Sequence, residues 1–310
     1  MEPHLLKKYR SLNNSFDKKL TFHLGAEAGF FSEFNNMILA MIYCLDNRIK
    51  FTLYSKKGNF SLNNGWNDFF LPFCDQTEFY LHQRYNRRAN QVKNSKKLPP
   101  KLLKVITGNE FLTQDIWNSF RNSQFSNKKF TFPDLGLKDS SLLQVTRTII
   151  PIIWRYKPNS EKIIKKYKSS VELPRDYISI HIRSGDKNIE STTYSFQKYI
   201  EKAALVNFSK NAFILTDDYK VIKELEKNYP DWNFRTLCSP TEKGYRHSDF
   251  KKYDKHEKYL KHLKLLASID LCAKSNHFIG TYSSNPGMFM GMRIGEENCS
   301  CIDYDNWVLW

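Results

Sequence analysis

With 310 residues, 41% of them apolar and 15% aromatic, the chain can bury the cores of two ordinary domains or one large one, which excludes a disordered polymer. Its formal charge of +16 and pI of about 9.4 favour polyanionic partners: nucleic acid, an anionic membrane or phosphorylated substrates. The sequence opens without an apolar run of signal-peptide length, and no stretch is long enough to span a bilayer, so a reducing, cytoplasmic location is expected, with peripheral membrane contact left open.

The pattern from residue 20 reads strand, loop, helix, strand. Residues 20–24 (LTFHL) form a β candidate, 25–33 a loop carrying Gly25 and Gly29, 34–47 a buried helix and 49–55 the next strand. Such a βαβ unit implies a parallel sheet. Residues 63–70 (NNGWNDFF) read as a turn entering a short helix. Residues 84–104 hold eight Lys and Arg and no acid, and read as an exposed basic loop ending in Pro99-Pro100. Residues 140–168 read as helical, with breaks near Pro151 and Pro158.

The second half alternates more regularly. Strands are expected at 176–182, 211–216, 232–237 and 277–281, with helices at 196–206, 218–229, 259–274 and from 284. A polar loop fills 238–256. The expected architecture is α/β with two facing Rossmann-like domains: residues 1–170, the acceptor side, and 171–310, the nucleotide-binding side. Cys44, Cys74, Cys238 and Cys272 read as reduced core thiols. Cys299-Ser-Cys301 is a close pair without the further ligands a zinc site needs.

Ligands of an open parallel sheet bind at the carboxyl ends of its strands, and three of those ends are polar here. The first is His181-Ile182-Arg183-Ser184-Gly185-Asp186-Lys187, where a guanidinium fork and a Ser-Gly turn suit a diphosphate. The second is Thr216-Asp217-Asp218, where a carboxylate could receive a purine N–H and amino group. The third is Thr281-Tyr282-Ser283-Ser284-Asn285, hydroxyls at a helix N-terminus. Each has a plainer role open to it. One of Asp217 and Asp218 could cap the helix that follows, as could Ser283 or Ser284, and Arg183 could pair with Asp186.

HIRSGDK, then ILTDD, then GTYSSN, in that order, resemble the core-type α-1,6-fucosyltransferase family, whose pattern is His-x-Arg-Arg-x-Asp-Lys, Ala-Thr-Asp-Asp and Thr-Phe-Ser-Ser-Gln. Residues 25–55 are similar to that family's Gly-rich loop, helix and strand, and Asn64-Gly65-Trp66 falls where it has Gly-Gly-Trp. The resemblance spans roughly residues 20–290 and looks most like the minimal bacterial type. It implies a GT-B-like fold, GDP-fucose as donor, inversion at the anomeric carbon, and no metal or other cofactor. By position, His181 and Asp217 would contact guanine. Arg183, Ser283 and Ser284 would hold the β-phosphate, with Asn285 beside them, while Asp186 and Lys187 order the loop. Three departures stand out. Ser184 replaces a second Arg and Asn285 a Gln. Glu190 follows Lys187 by three positions, where the family's catalytic Glu follows by four and Ser191 takes the aligned place.

The expected function is therefore an inverting glycosyltransferase moving fucose from GDP-fucose to a glycan hydroxyl, with Arg183, Glu190 and Asp186 as catalytic residues. A glycan acceptor, including a lipid-linked one, and an anionic membrane surface are the expected partners. The alternatives are a transferase using another GDP-sugar, an inactive glycan-binding relative, which Ser184 keeps open, or a nucleic-acid-binding protein. The last lacks any zinc-finger spacing or aromatic ribonucleoprotein signature.

Overall fold

The computed structural model describes residues 3–25, 28–91, 98–183, 194–206, 209–245 and 247–308. The chain divides into two compact units at Lys157/Pro158.

In the first unit a helix, α1 (His4–Asn14), precedes β1 (Lys18–His23). Strand β1 pairs in parallel with β2 (Ile49–Tyr54) and with the short β3 (Phe111–Leu112), giving the order β2-β1-β3. The crossover between β1 and β2 is α2 (Phe30–Asp46), which starts four residues earlier than its apolar run suggests. The early start is packed rather than capped. Phe30 stacks on Phe34 and Phe70, and Phe31 on Trp154. Buried Glu33, in the first turn, accepts the Ala28 N–H and pairs with Arg88 Nη2 at 2.7 Å.

Asn64-Gly65-Trp66 enters a one-turn 3-10 helix, Gly65–Asp68. Gly65 lies at φ +63°, and a Cβ there would meet the Ser55 carbonyl oxygen at 2.2 Å. Only glycine allows that approach. It lets the Trp66 N–H reach Ser55 Oγ at 2.9 Å and the buried indole lie on Phe70, ring centres 4.3 Å apart.

The basic stretch 84–104 is not one exposed loop. It contains the end of α3 (Leu81–Tyr85) and most of α4 (Leu98–Thr107). Pro99 and Pro100 open α4 rather than ending a loop, because first-turn N–H groups have no helical partner to lose. Arg88 is committed to Glu33 and lies over the Trp117 ring, with Arg121 also against that ring. The unit continues through α5 (Thr113–Ile116), α6 (Ser123–Asn127) and an antiparallel pair, β4 (Phe130–Phe132) with β5 (Leu137–Ser140). It closes with α7 (Leu142–Ile153), opened by a Ser141–Gln144 capping box. The breaks expected near Pro151 and Pro158 coincide in one non-helical stretch, 154–157, where α7 ends at Ile153 before the next helix opens at Pro158.

The second unit begins with α8 (Pro158–Ser169), which sequence reasoning had assigned to the first domain. It packs on α12 (Lys255–Lys274), where buried Asp270 receives Lys168 at 3.4 Å and Arg293 at 2.7 Å. Asp270 thus links α8 to α12 and to Arg293.

The described strands here form an all-parallel sheet in the order β10-β9-β6-β7-β8. They are β6 (Ile178–His181), β7 (Asn211–Leu215), β8 (Asn233–Arg235), β9 (Phe278–Gly280) and β10 (Cys299–Cys301). Between them run α9 (Phe196–Val206), α10 (Tyr219–Asn228), α11 (His247–Lys252), α12 and α13 (Asn285–Ile294). Tyr199, Ile200 and Ala203 of α9 and Val221, Ile222 and Leu225 of α10 pack on Ile178, Ile180, Ala212 and Ile214. Helix α12 is buried on nearly every side from His262 to Cys272. Cys299 and Cys301 are buried residues of the edge strand β10, paired with Phe278 and Gly280 of β9.

Candidate nucleotide site

The strand order creates the site. From β6 the chain winds outward through β7 to β8, then crosses back to β9 and winds the other way to β10. Connections therefore diverge between β6 and β9, and the crevice beyond their carboxyl ends is where such sheets bind nucleotides. The three polar strand ends belong to β6, β7 and β9, which are neighbours.

His181 ends β6, is buried, and lies with Nδ1 3.5 Å from Ser284 Oγ, joining the ends of β6 and β9. Arg183 follows two positions on and is partly exposed. Asp186, Lys187 and Glu190 lie outside the described residues.

The end of β9 is tightly organised. Ser284 Oγ accepts the Gly287 N–H at 3.2 Å and donates to the Thr281 carbonyl at 2.8 Å, capping α13. That hydroxyl is fully buried. A Cβ on Gly287 would meet the Thr281 oxygen at 2.0 Å, so glycine is required for the turn. The N–H groups of Tyr282 and Ser283 both donate to the Asp303 carboxylate, each at 2.8 Å. Tyr282 turns its ring into the core, where burial and then the neighbouring thiols push its hydroxyl far above the ordinary tyrosine range. The cradle is therefore narrower than the sequence suggests. Pro286 has no N–H, and those of Tyr282, Ser283, Gly287 and Met288 already donate within the turn or to Asp303. Asn285 stands at the first helical position, partly exposed.

At the end of β7 the two carboxylates separate in role. Asp218 Oδ1 accepts the Lys220 N–H at 3.0 Å and caps α10. Asp217 Oδ2 accepts the Tyr245 N–H at 2.7 Å, and the Asp217 carbonyl accepts the Gly244 N–H at 2.8 Å. Asp217 thus anchors the 238–245 turn beside the crevice. Among the described residues, no group of three or more His, Cys, Asp or Glu is placed to hold a metal ion.

Sequence reasoning missed Asp303. It follows β10 by two positions, as Arg183 follows β6, a correspondence that becomes visible only once Cys299–Cys301 is recognised as a strand.

The fold can be compared with solved structures. A structure of NodZ alpha-1,6-fucosyltransferase soaked with GDP-fucose matches 93% of this chain and 95% of its own, with a TM-score of 0.52 and 12% identity. Fucosyltransferase NodZ from Bradyrhizobium matches over 93% and 96%, with the same score and identity. The fold is GT-B-like, as in NodZ. No protein-family model matches the sequence, and no curated protein matches it either. The second unit has a switch point flanked by polar strand ends, the place where open parallel sheets bind ligands.

Proposed function

We propose that the chain is an inverting glycosyltransferase that moves fucose from GDP-fucose to a glycan hydroxyl, with residues 171–310 binding the donor and residues 1–170 as the acceptor side. The observation that carries this is the convergence of His181, Arg183, Asp217 and the 281–285 turn at neighbouring strand ends around one switch point. The shared fold with NodZ, which has been crystallised with GDP and soaked with GDP-fucose, supports the choice of donor.

Guanine is taken by Asp217 and His181. The β-phosphate lies against Arg183, with Lys187, Ser283 and Asn285 beside it. Ser284 contributes by capping α13 and holding the turn in shape. In the reaction the acceptor oxygen forms a bond to the anomeric carbon as the bond to the β-phosphate oxygen breaks, and GDP leaves with the electron pair. Negative charge grows on that oxygen while the sugar acquires oxocarbenium character. Arg183 stabilises the departing charge. Glu190 takes the acceptor proton, with Asp186 as the third catalytic residue.

Transfer is proposed to need no divalent metal. Mg²⁺ ordinarily bridges carboxylates and substrate phosphates, but Asp218 serves as a helix cap and adjacent residues at a strand end point different ways, which leaves Asp217 alone for the ligand. A cytoplasmic enzyme working at an anionic membrane on a lipid-linked acceptor fits the +16 charge.

Thermal melting in the presence of GDP, UDP or ADP distinguishes the readings. At ligand concentrations about 100 times Kd, GDP should stabilise the protein by about 2.7 kcal/mol, in EDTA as well as in Mg²⁺. UDP and ADP should do far less. Equal shifts for all three would remove the guanine assignment, and a GDP effect lost in EDTA and restored by Mn²⁺ would reassign Asp217 and Asp218 to a metal.

A further inference from the structure

We infer that helix α4 is a membrane-surface anchor: its outward aliphatic stripe lies in the headgroup region of an anionic bilayer, and the surrounding cations hold it there. The inference deepens the membrane contact proposed above and is independent of which donor the enzyme uses.

Helix α4 is inverted relative to an ordinary surface helix. Leu103 is buried and packs inward, yet Leu98, Leu102, Val105 and Ile106 are 76, 56, 80 and 56% exposed. Of the eight large apolar side chains exposed among the described residues, four are on this ten-residue helix. At 100° per residue these four fall within an arc of about 100°. The turn before the adjoining α3 adds Tyr80, 69% exposed. Contiguous apolar surface of this kind on a folded protein marks an interaction site.

Charge selects the occupant. The stripe begins inside the basic 84–104 stretch and runs two residues beyond it. Lys101 borders it on the helix and is exposed, as is Arg84 on α3, which packs against α4. Two copies meeting through this face would bring those like charges together on chains that each carry +16, and one ten-residue helix offers little of the roughly 800 Å² per partner that a stable interface buries. Nucleic acid would use the cations and leave the aliphatic stripe in water. An anionic bilayer satisfies both: apolar side chains enter the acyl boundary, and cations meet the negative surface. The helix is also held firmly from behind. Lys104 pairs with Asp115 at 2.9 Å, and Lys19 Nζ donates to the Thr107 carbonyl at 2.9 Å. Insertion therefore requires no rearrangement of α4.

The test is co-sedimentation of the full chain with vesicles of phosphatidylcholine and phosphatidylglycerol at 3:1. Wild-type protein should bind these at about 0.1 M salt, and at least about tenfold more weakly with pure phosphatidylcholine or at about 0.5 M salt. Leu102→Glu with Val105→Glu should lose at least about tenfold in vesicle binding, and Leu102→Ser with Val105→Ser several-fold, because only exposed side chains change. Melting temperatures of both variants should stay close to that of wild type, and GDP stabilisation should be unaltered. Equal binding to neutral and anionic vesicles, or wild-type binding by both variants, would overturn the inference. So would a wild-type dimer in sedimentation equilibrium that the variants lose, since the stripe would then be an interface between copies. Intact vesicle binding without any response to GDP would sink the donor assignment alone.

Discussion

Arg183→Ala is expected to lower transfer from GDP-fucose by roughly 100- to 1000-fold while leaving the fold intact. The size follows from what the residue is asked to do. In a partly dehydrated crevice, one preorganised donor aimed at a leaving oxyanion contributes about 3–4 kcal/mol to the barrier. The surroundings offer little replacement. Position 184 is Ser, so no second guanidinium follows. At the neighbouring strand end, the Tyr282 and Ser283 N–H groups are held by Asp303 and the Ser284 hydroxyl by Gly287 and Thr281. A side chain that is partly exposed at a strand end can be truncated without opening a core cavity, so melting should change by only a few degrees. Turnover and melting measured on the same preparation check this. Near-wild-type turnover by Arg183→Ala would mean that the β-phosphate lies elsewhere.

The second large effect is on stability in mild acid. His23 and His82 are buried in the first unit, and burial above all pulls each imidazole down to about 4. Their tautomers are fixed by Asn86. His23 Nδ1 lies 2.6 Å from the Asn86 carbonyl and must donate to it, while the Asn86 side-chain NH2 points at His82 Nδ1, which must accept. Protonating His82 would set N–H against N–H. In the second unit, burial lowers His262 to about 3. These groups bind fewer protons folded than unfolded between the folded values and the ordinary 6.5. Unfolding is therefore favoured as pH falls, and the stability they contribute is complete above 6.5 and drains away toward 4. At pH 5 each buried imidazole should cost about 2 kcal/mol, against a total of about 5–15 kcal/mol for a whole protein. Urea midpoints should fall steeply between pH 7 and pH 5. Midpoints that do not move over that interval would show that the imidazoles are solvated.

Much of the second unit could be read from sequence because each element obeys one period. Ile178 and Ile180 lie on one strand, Val221, Ile222 and Leu225 on one helix, and their burial in a single core is what that pattern specifies. Helix α4 escaped because Pro99-Pro100 resembles a breaker, though proline is tolerated in a first helical turn. Strand β10 escaped because three residues, two of them Cys, carry little strand signal; its place is set by pairing with β9. Asp303 was lost with it.

The candidate site was legible to the extent that strand order brings separate motifs together. His181, Asp217 and Ser284 come from strand ends that are neighbours only in the folded sheet. What sequence could not assign was the use of each polar atom. Ser284 resembles a phosphate ligand, yet its hydroxyl completes a cap, and of two adjacent carboxylates only Asp218 caps α10. Such choices depend on which backbone N–H lies within 3 Å or so, a property of the turn rather than of the residue type.

Release of GDP from a panel of GDP-sugars, measured in excess EDTA, tests GDP-fucose as the donor most directly. GDP-fucose should be consumed at least about tenfold faster than GDP-mannose or GDP-glucose, with UDP-sugars inert and the activity removed by Arg183→Ala. Equal consumption of all GDP-sugars, or turnover of a UDP-sugar in preference, would contradict it.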